Sequence, residues 1–254
     1  SKLVPHVKDT AKILYGIYIA ITICEATILR ALGMPLFDSL TTTFGTVGTG
    51  GFGIRNDSIA GYSPAIQITI TVFMILSGIN YTAYFYILTG KIKELFKIEE
   101  VRWYLAIIFG SVAVITWNVR SLYPTFSETL RHAFFQVGSI ITTTGFSTID
   151  FNLWPQGSKT ILVLLTFLGA CAGSTGGGIK VSRLMILVKS IRQEIAYFIH
   201  PRSVKVIKMD QKAIDKSTVR GVHAFFATYM MIIVVSVFLI SFDGLDLVTN
   251  FTAV

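Results

Sequence analysis

Two short stretches rich in threonine and glycine lie between segments apolar enough to sit in a bilayer. They are Thr46-Val47-Gly48-Thr49-Gly50-Gly51-Phe52-Gly53 and Thr142-Thr143-Thr144-Gly145-Phe146-Ser147-Thr148, and neither carries a charged side chain. Each follows a short amphipathic segment opened by a proline, Pro35 or Pro124. Irregular backbone at membrane depth is tolerated only where protein or water covers it, because an unpaired peptide group in hydrocarbon is costly. The pattern therefore predicts two re-entrant loops, each entered by a pore helix. The fold it implies is an all-α membrane protein of repeated span–pore helix–span units.

Composition agrees. The chain is 52% hydrophobic and 14% charged, with a mean hydropathy of +0.65, whereas a soluble domain carries about a quarter charged residues. A net charge of +8 raises the question of nucleic acid, but the charges sit in the wrong places. Segments 1–12, 91–102 and 180–220 hold 17 of the 22 lysines and arginines, all between apolar spans. The remaining five, Arg30, Arg55, Arg120, Arg131 and Lys159, fall on the opposite side. By the positive-inside bias the first set is cytoplasmic, so both loops enter from outside. No soluble region remains to carry a nucleic-acid surface. Cys24 and Cys171 lie in apolar segments without a second ligand at metal or disulfide spacing and read as packed thiols.

In chain order, an apolar segment from Ile13 to about Leu32 is long enough to span as a helix, about 30 Å. Glu25 lies inside it and is a functional candidate by its depth alone. Its proximity to Arg30 favours a structural pair or a snorkelled carboxylate over an ion ligand. Met34–Thr46 is too short to span and reads as a pore helix, with Pro35 at its start and Asp38 in its first turn. A return span runs from Pro64 to about Thr89. The next begins at Trp103 and extends to near Tyr123, and Pro124–Ser139 forms a second pore helix capped by Thr125 or Ser127. From Lys159 to about Ile199 an uninterrupted helix would be about 60 Å long. Gly169-Ala170-Cys171-Ala172-Gly173-Ser174-Thr175-Gly176-Gly177-Gly178 breaks it, since each glycine costs a helix about 1 kcal/mol. A last span covers about Val222 to Phe242, and the apolar tail after it resembles the start of a third pore helix. Phe52 and Phe146 stand 94 residues apart, an internal repeat that places a third loop near or just past residue 240. The start at Ser1 and the stop within an apolar run at Val254 are expected of a segment of a longer protein.

A ring of carbonyl oxygens replaces the hydration shell of an alkali cation, and glycine supplies the backbone angles that align such oxygens. The candidate ion-lining residues are Thr46, Val47, Gly48, Thr49, Gly50 and Gly51 in one loop and Ile141, Thr142, Thr143, Thr144 and Gly145 in the other. An anion path would place Lys or Arg there. Ordinary turns would explain one such loop, but not two in register. Gly173–Gly178 has the glycine spacing of a phosphate loop, yet Ile179 stands where that motif requires lysine and Lys180 comes one place late. A flexible constriction fits better, with Gly169, Gly173, Ser174, Thr175, Gly176, Gly177, Gly178 and Lys180 as gate candidates. Close helix packing is the plainer alternative. His200-Pro201-Arg202 reads as a helix stop, with docking of a cytosolic partner as a second reading. His132 is given no proton-relay role, and His6 and His223 carry no spacing signal.

TVGTGGFG, TTTGFST, GACAGSTGGGIKVSRL and HPRSVKVIK together resemble the TrkH-type subunit of the Trk/Ktr/HKT potassium transporters. The resemblance covers essentially the whole chain and implies four repeats around one axial filter. On that pattern, 1–90 is the second repeat, 91–200 the third with a broken second span, and 201–254 a linker with the first half of the fourth. The first and fourth filter loops are then absent. The resemblance further implies potassium as the transported ion with no cofactor and no enzymatic activity. It implies a bacterial inner-membrane location, a homodimer, and a cytosolic nucleotide-binding ring subunit acting on the gate. It places Thr49, Gly50 and Gly51 in the second filter loop and Thr143, Thr144 and Gly145 in the third. A sodium-selective or sodium-coupled relative, and a membrane scaffold or receptor without a pore, are the rival readings.

Overall fold

The computed structural model describes residues 7–91, 94, 97–200, 206–244 and 249–251. The chain divides into two units, Ser1–Val181 and Ser182–Val254. In the first, the described residues form these α-helices in order: α1 Val7–Ala31, α2 Leu36–Val47, α3 Pro64–Ser77, α4 Tyr81–Leu88, α5 Glu99–Val119, α6 Phe126–Ile141 and α7 Gln156–Leu168. In the second, α8 (Val181–Ile199) is followed by a two-stranded antiparallel hairpin, β1 Lys208–Met209 with β2 Lys212–Ala213, and by α9 (Lys216–Ile240).

Among the described residues, three helical stretches are long and apolar enough to cross a membrane, Ala11–Ala31, Glu99–Leu122 and Lys216–Asp243, or four if a bent pair, Pro64–Ser77 with Tyr81–Leu88, is one span. α2 and α6 are the two short helices at the places where the sequence predicts pore helices. α2 is opened by Pro35 and carries Asp38 in its first turn, a carboxylate at the positive end of the helix dipole. Its Oδ2 also accepts from the Tyr62 hydroxyl at 2.7 Å, and burial together with that bond pushes the phenol up to about 12. α6 is capped by Thr125, whose hydroxyl accepts from the Glu128 amide at 3.2 Å. The cap satisfies one of the orphan donors of a first turn.

The core of this unit joins the two repeats. Leu29, Met34, Ile59, Ile66, Ile70, Met74, Phe135 and Phe146 form one buried cluster. Phe146, from the second loop, lies against Gly45 of α2, where a Cβ would come within 2.9 Å of the ring. Its counterpart Phe52 is 85% exposed, so equivalent positions in the repeat have different surroundings.

Between Pro64 and Thr89, where the sequence reads as one return span, α3 and α4 are bent by 96° at Gly78-Ile79-Asn80 and together are long and apolar enough for one broken span. The Tyr104 hydroxyl packs into this bend so closely that a Cβ on Gly78 would fall 2.2 Å from it. The Asn80 side chain restarts the helix by accepting from the Thr82 amide at 2.8 Å. The long segment after Lys159 breaks as expected, into α7, an irregular stretch 169–180, and α8. The third pore helix expected at 245–254 falls mostly outside the described residues.

Candidate ion pathway and gating loop

The two threonine–glycine loops share one backbone design. After α2, the amides of Gly48, Thr49, Gly50 and Gly51 donate to the carbonyls of Phe44, Thr46, Gly45 and Gly45; after α6, those of Thr142, Thr143, Thr144 and Gly145 donate to Gly138, Ile140, Ser139 and Ser139. Every partner keeps the 94-residue offset. Left-handed angles recur at the same places, Thr49 at φ 52° with Gly51 at 67°, and Thr143 at 59° with Gly145 at 88°. A threonine in that region is uncommon and costs energy. Each loop spends a hydroxyl to hold it: Thr49 Oγ1 donates to the Gly48 carbonyl at 2.8 Å and Thr143 Oγ1 to Thr142 at 2.6 Å.

With the amides turned back into α2 and α6, oxygens are left over. Among the described residues, the carbonyls of Val47, Thr49, Gly50, Ile141, Thr143 and Thr144 accept no hydrogen bond. The loops also meet. A Cβ on Gly51 would lie 1.6 Å from the Thr144 carbonyl oxygen, so only glycine allows this approach. Thr46, Val47, Ile141 and Thr142 are fully buried in the helix ends behind the loops, Thr144 is nearly so, and Gly48, Gly50 and Gly145 are exposed. Thr142 and Thr144 bond through their hydroxyls at 2.7 Å.

The glycine-rich stretch lies directly against this pair of loops. Gly177 N donates to Thr143 Oγ1 at 2.7 Å, and Thr49 Oγ1 donates to the Thr175 carbonyl at 3.1 Å. A Cβ on Gly176 would lie 3.1 Å from the Thr142 carbonyl oxygen. The neck of the loop is closed by backbone bonds from Ile179, Lys180 and Val181 to the carbonyls of Phe167, Leu168 and Ala170. There Gly169 and Gly178 pack so closely that a Cβ on Gly178 would come within 2.8 Å of the Gly169 Cα. Lys180, itself at φ 76°, donates from Nζ to the Gly176 carbonyl. Ser174 Oγ donates to Cys171 O at 2.6 Å.

The break between α3 and α4 is filled by the same loop. Cys171 N donates to Gly78 O at 3.0 Å, Tyr81 N to Gly173 O at 3.1 Å, and Thr175 Oγ1 to Ser77 O at 3.3 Å. Two broken helices thus supply one another's missing partners, the arrangement membrane-buried irregular backbone requires. From the start of α5, the buried Glu100 carboxylate accepts from the Ala172 amide at 2.6 Å.

Glu100, Gly78 and Asn80 were not singled out in the sequence. Glu100 resembled one more charge in a polar loop, and no local pattern links it to a residue 72 positions later. Glu25 is fully buried on α1 beside Thr46 and makes no ion pair among the described residues. Arg30 donates instead to the Met34 carbonyl at 3.3 Å, so neither the pairing nor the snorkelling expected of Glu25 occurs. His132 is held by Thr148 at 2.9 Å and packs on Tyr123.

Comparison with known proteins follows this geometry. The family described as "TrkH: Cation transport protein" matches residues 1–254. The Trk system potassium uptake protein TrkH of Salmonella typhimurium is 35% identical over 258 residues, covering 100% of this chain and 53% of that protein. TrkI of Halomonas elongata is 28% identical, covering 98% and 51%. The crystal structure of the potassium transporter TrkH from Vibrio parahaemolyticus superposes with a TM-score of 0.92 at 33% identity, covering 98% of this chain and 55% of that one. The chain spans about half the length of these relatives. It belongs to the TrkH family of cation transport proteins.

Proposed function

We propose that this chain forms two of the loops of a carbonyl-lined filter that carries potassium into the cell across the bacterial inner membrane, with residues 169–178 as its gate. The observation that carries the reading is the contact of Gly51 with the Thr144 carbonyl, between two loops of identical backbone bonding. Free carbonyl oxygens in uncharged loops favour a dehydrated monovalent cation over an anion. The C-terminal ends of α2 and α6 add their partial negative charge at the same place. The relatives named as potassium uptake proteins support the choice of ion. The positive-inside bias supports loops facing outward and basic segments facing the cytoplasm.

The stretch 169–178 acts as a barrier because it packs on both filter loops, yet is tied there by few bonds. Glu100 braces it from the end of α5 and Lys180 clasps it at Gly176. A homodimer and a cytosolic nucleotide-binding ring complete the assembly, the ring acting on the basic face. Transport is conformational and electrostatic, with no cofactor and no covalent step.

Rubidium uptake into proteoliposomes of the full-length protein tests the function. Uptake that depends on the filter glycines supports it. Sodium uptake without rubidium uptake favours a sodium-selective relative, and no uptake of either ion from an intact assembly favours a scaffold.

A further inference from the structure

In the second unit, α8, the residues flanking the hairpin and the start of α9 line an open cavity of about 600 Å³. It is independent of the filter and shares no residue with it. One face of α9 presents Lys216, Arg220 and His223 into it, spaced by four and three residues so that they stack on the same side of the helix. Across from them, α8 contributes Glu194 and Tyr197. The apolar floor includes Ile207, fixed by the backbone bond from Ile214 N to Ile207 O at 2.9 Å.

Charge in this cavity is unbalanced. Lys216 and Arg220 make no hydrogen bond or ion pair among the described residues, and neither does Glu194. Two fixed cations against one carboxylate leave a positive surplus inside a concave, partly apolar site. A planar guanidinium beside an ammonium is the donor set that recognises a phosphate diester or monoester. The volume suits a polar headgroup rather than a bare ion.

Where the cavity lies selects the source of that phosphate. Lys216, Arg220 and His223 form the first two turns of a helix whose stretch Lys216–Asp243 is long and apolar enough to cross a membrane, its most apolar 18-residue window reaching a mean hydropathy of 2.4. The same face continues through Met231, Val234 and Phe238, all more than half exposed. A phosphate seated on Lys216 and Arg220 therefore has a ready apolar track for acyl chains beneath it. Basic pockets at helix ends bind anionic headgroups for this reason. Tyr197, 57% exposed at the rim, suits the interfacial position that amphipathic rings prefer.

We propose that this cavity is a binding site for an anionic phospholipid, with the phosphate on Lys216 and Arg220 and a headgroup hydroxyl donating to Glu194. The site is separate from the ion pathway, so failure of one reading leaves the other standing.

The test is native mass spectrometry of the delipidated full-length protein titrated with phosphatidylglycerol, phosphatidylcholine or glycerol 3-phosphate. The variants are Lys216→Gln/Arg220→Gln and, as a control losing the same charge, Lys208→Gln/Lys212→Gln in the hairpin. Phosphatidylglycerol is expected to bind in preference to phosphatidylcholine. The cavity variant is expected to bind it about tenfold more weakly or worse, the hairpin variant as the parent does. Equal weakening in both variants would reduce the site to general surface attraction and overturn the proposal. So would unchanged binding in the cavity variant. Glycerol 3-phosphate binding as tightly as the lipid would assign the cavity to soluble phosphates instead.

Discussion

The amide of Gly177 donates to the hydroxyl of Thr143 at 2.7 Å, which ties the glycine-rich stretch to the second threonine–glycine loop. Thr49 repeats the link through the Thr175 carbonyl. Both threonines sit at left-handed φ, so the strained positions of the two threonine–glycine loops are also the points at which they bond the glycine-rich stretch.

Thr143→Val keeps the branched shape and removes the acceptor. It leaves the Gly177 amide unpaired, a loss of about 1–3 kcal/mol. Hydrogen exchange at Gly177 is expected to quicken by about tenfold or more, with a smaller effect on the helices. Unchanged exchange would mean the bond does not hold the loop.

Glu100 provides a test of the brace at the start of α5. Glu100→Gln retains an oxygen for the Ala172 amide and is expected to keep basal rubidium flux close to the parent level. Glu100→Ala leaves the amide without that partner, and basal flux is expected to rise. Equal flux in the two variants would remove Glu100 from the gate.

Shortening 173–178 is expected to raise basal flux further, since the bonds to Asn80's helix, to Thr49 and to Thr143 all lie in that stretch. Lys180→Met, which removes the clasp on Gly176, is expected to act in the same direction and more weakly. A lower rate in both would contradict a barrier role.

Gly51→Ala places a methyl where the Thr144 oxygen already lies. No rotamer relieves that overlap, and the left-handed φ of 67° adds strain of about 1 kcal/mol. Loss of rubidium uptake with normal membrane insertion is the expected result. Parent-level uptake would show that the two loops need not touch.

Much of the fold was legible because hydropathy, prolines and glycines act locally. Pro35 and Thr125 mark helix starts, and the run 169–178 cannot remain helical whatever surrounds it. The loops were legible because their chemistry recurs at a fixed offset, which one sequence can display. The bend at Gly78 was not, because the groups that fill it, the Tyr104 hydroxyl and the loop around Cys171 and Gly173, lie far along the chain. Glu25 misled for the same reason. Its closeness to Arg30 in sequence indicated a pair, but the arginine turns to the Met34 carbonyl and the carboxyl is buried against α2.

The most direct measurement is the ratio of rubidium to sodium flux in proteoliposomes of the full-length protein carrying Gly145→Ser. Gly145 has open space around its Cα but a φ of 88°, so serine fits sterically and disturbs only the backbone that aims the carbonyls. A fall in the ratio at unchanged protein incorporation is the predicted result. An unaltered ratio would contradict the assignment of this loop to the filter.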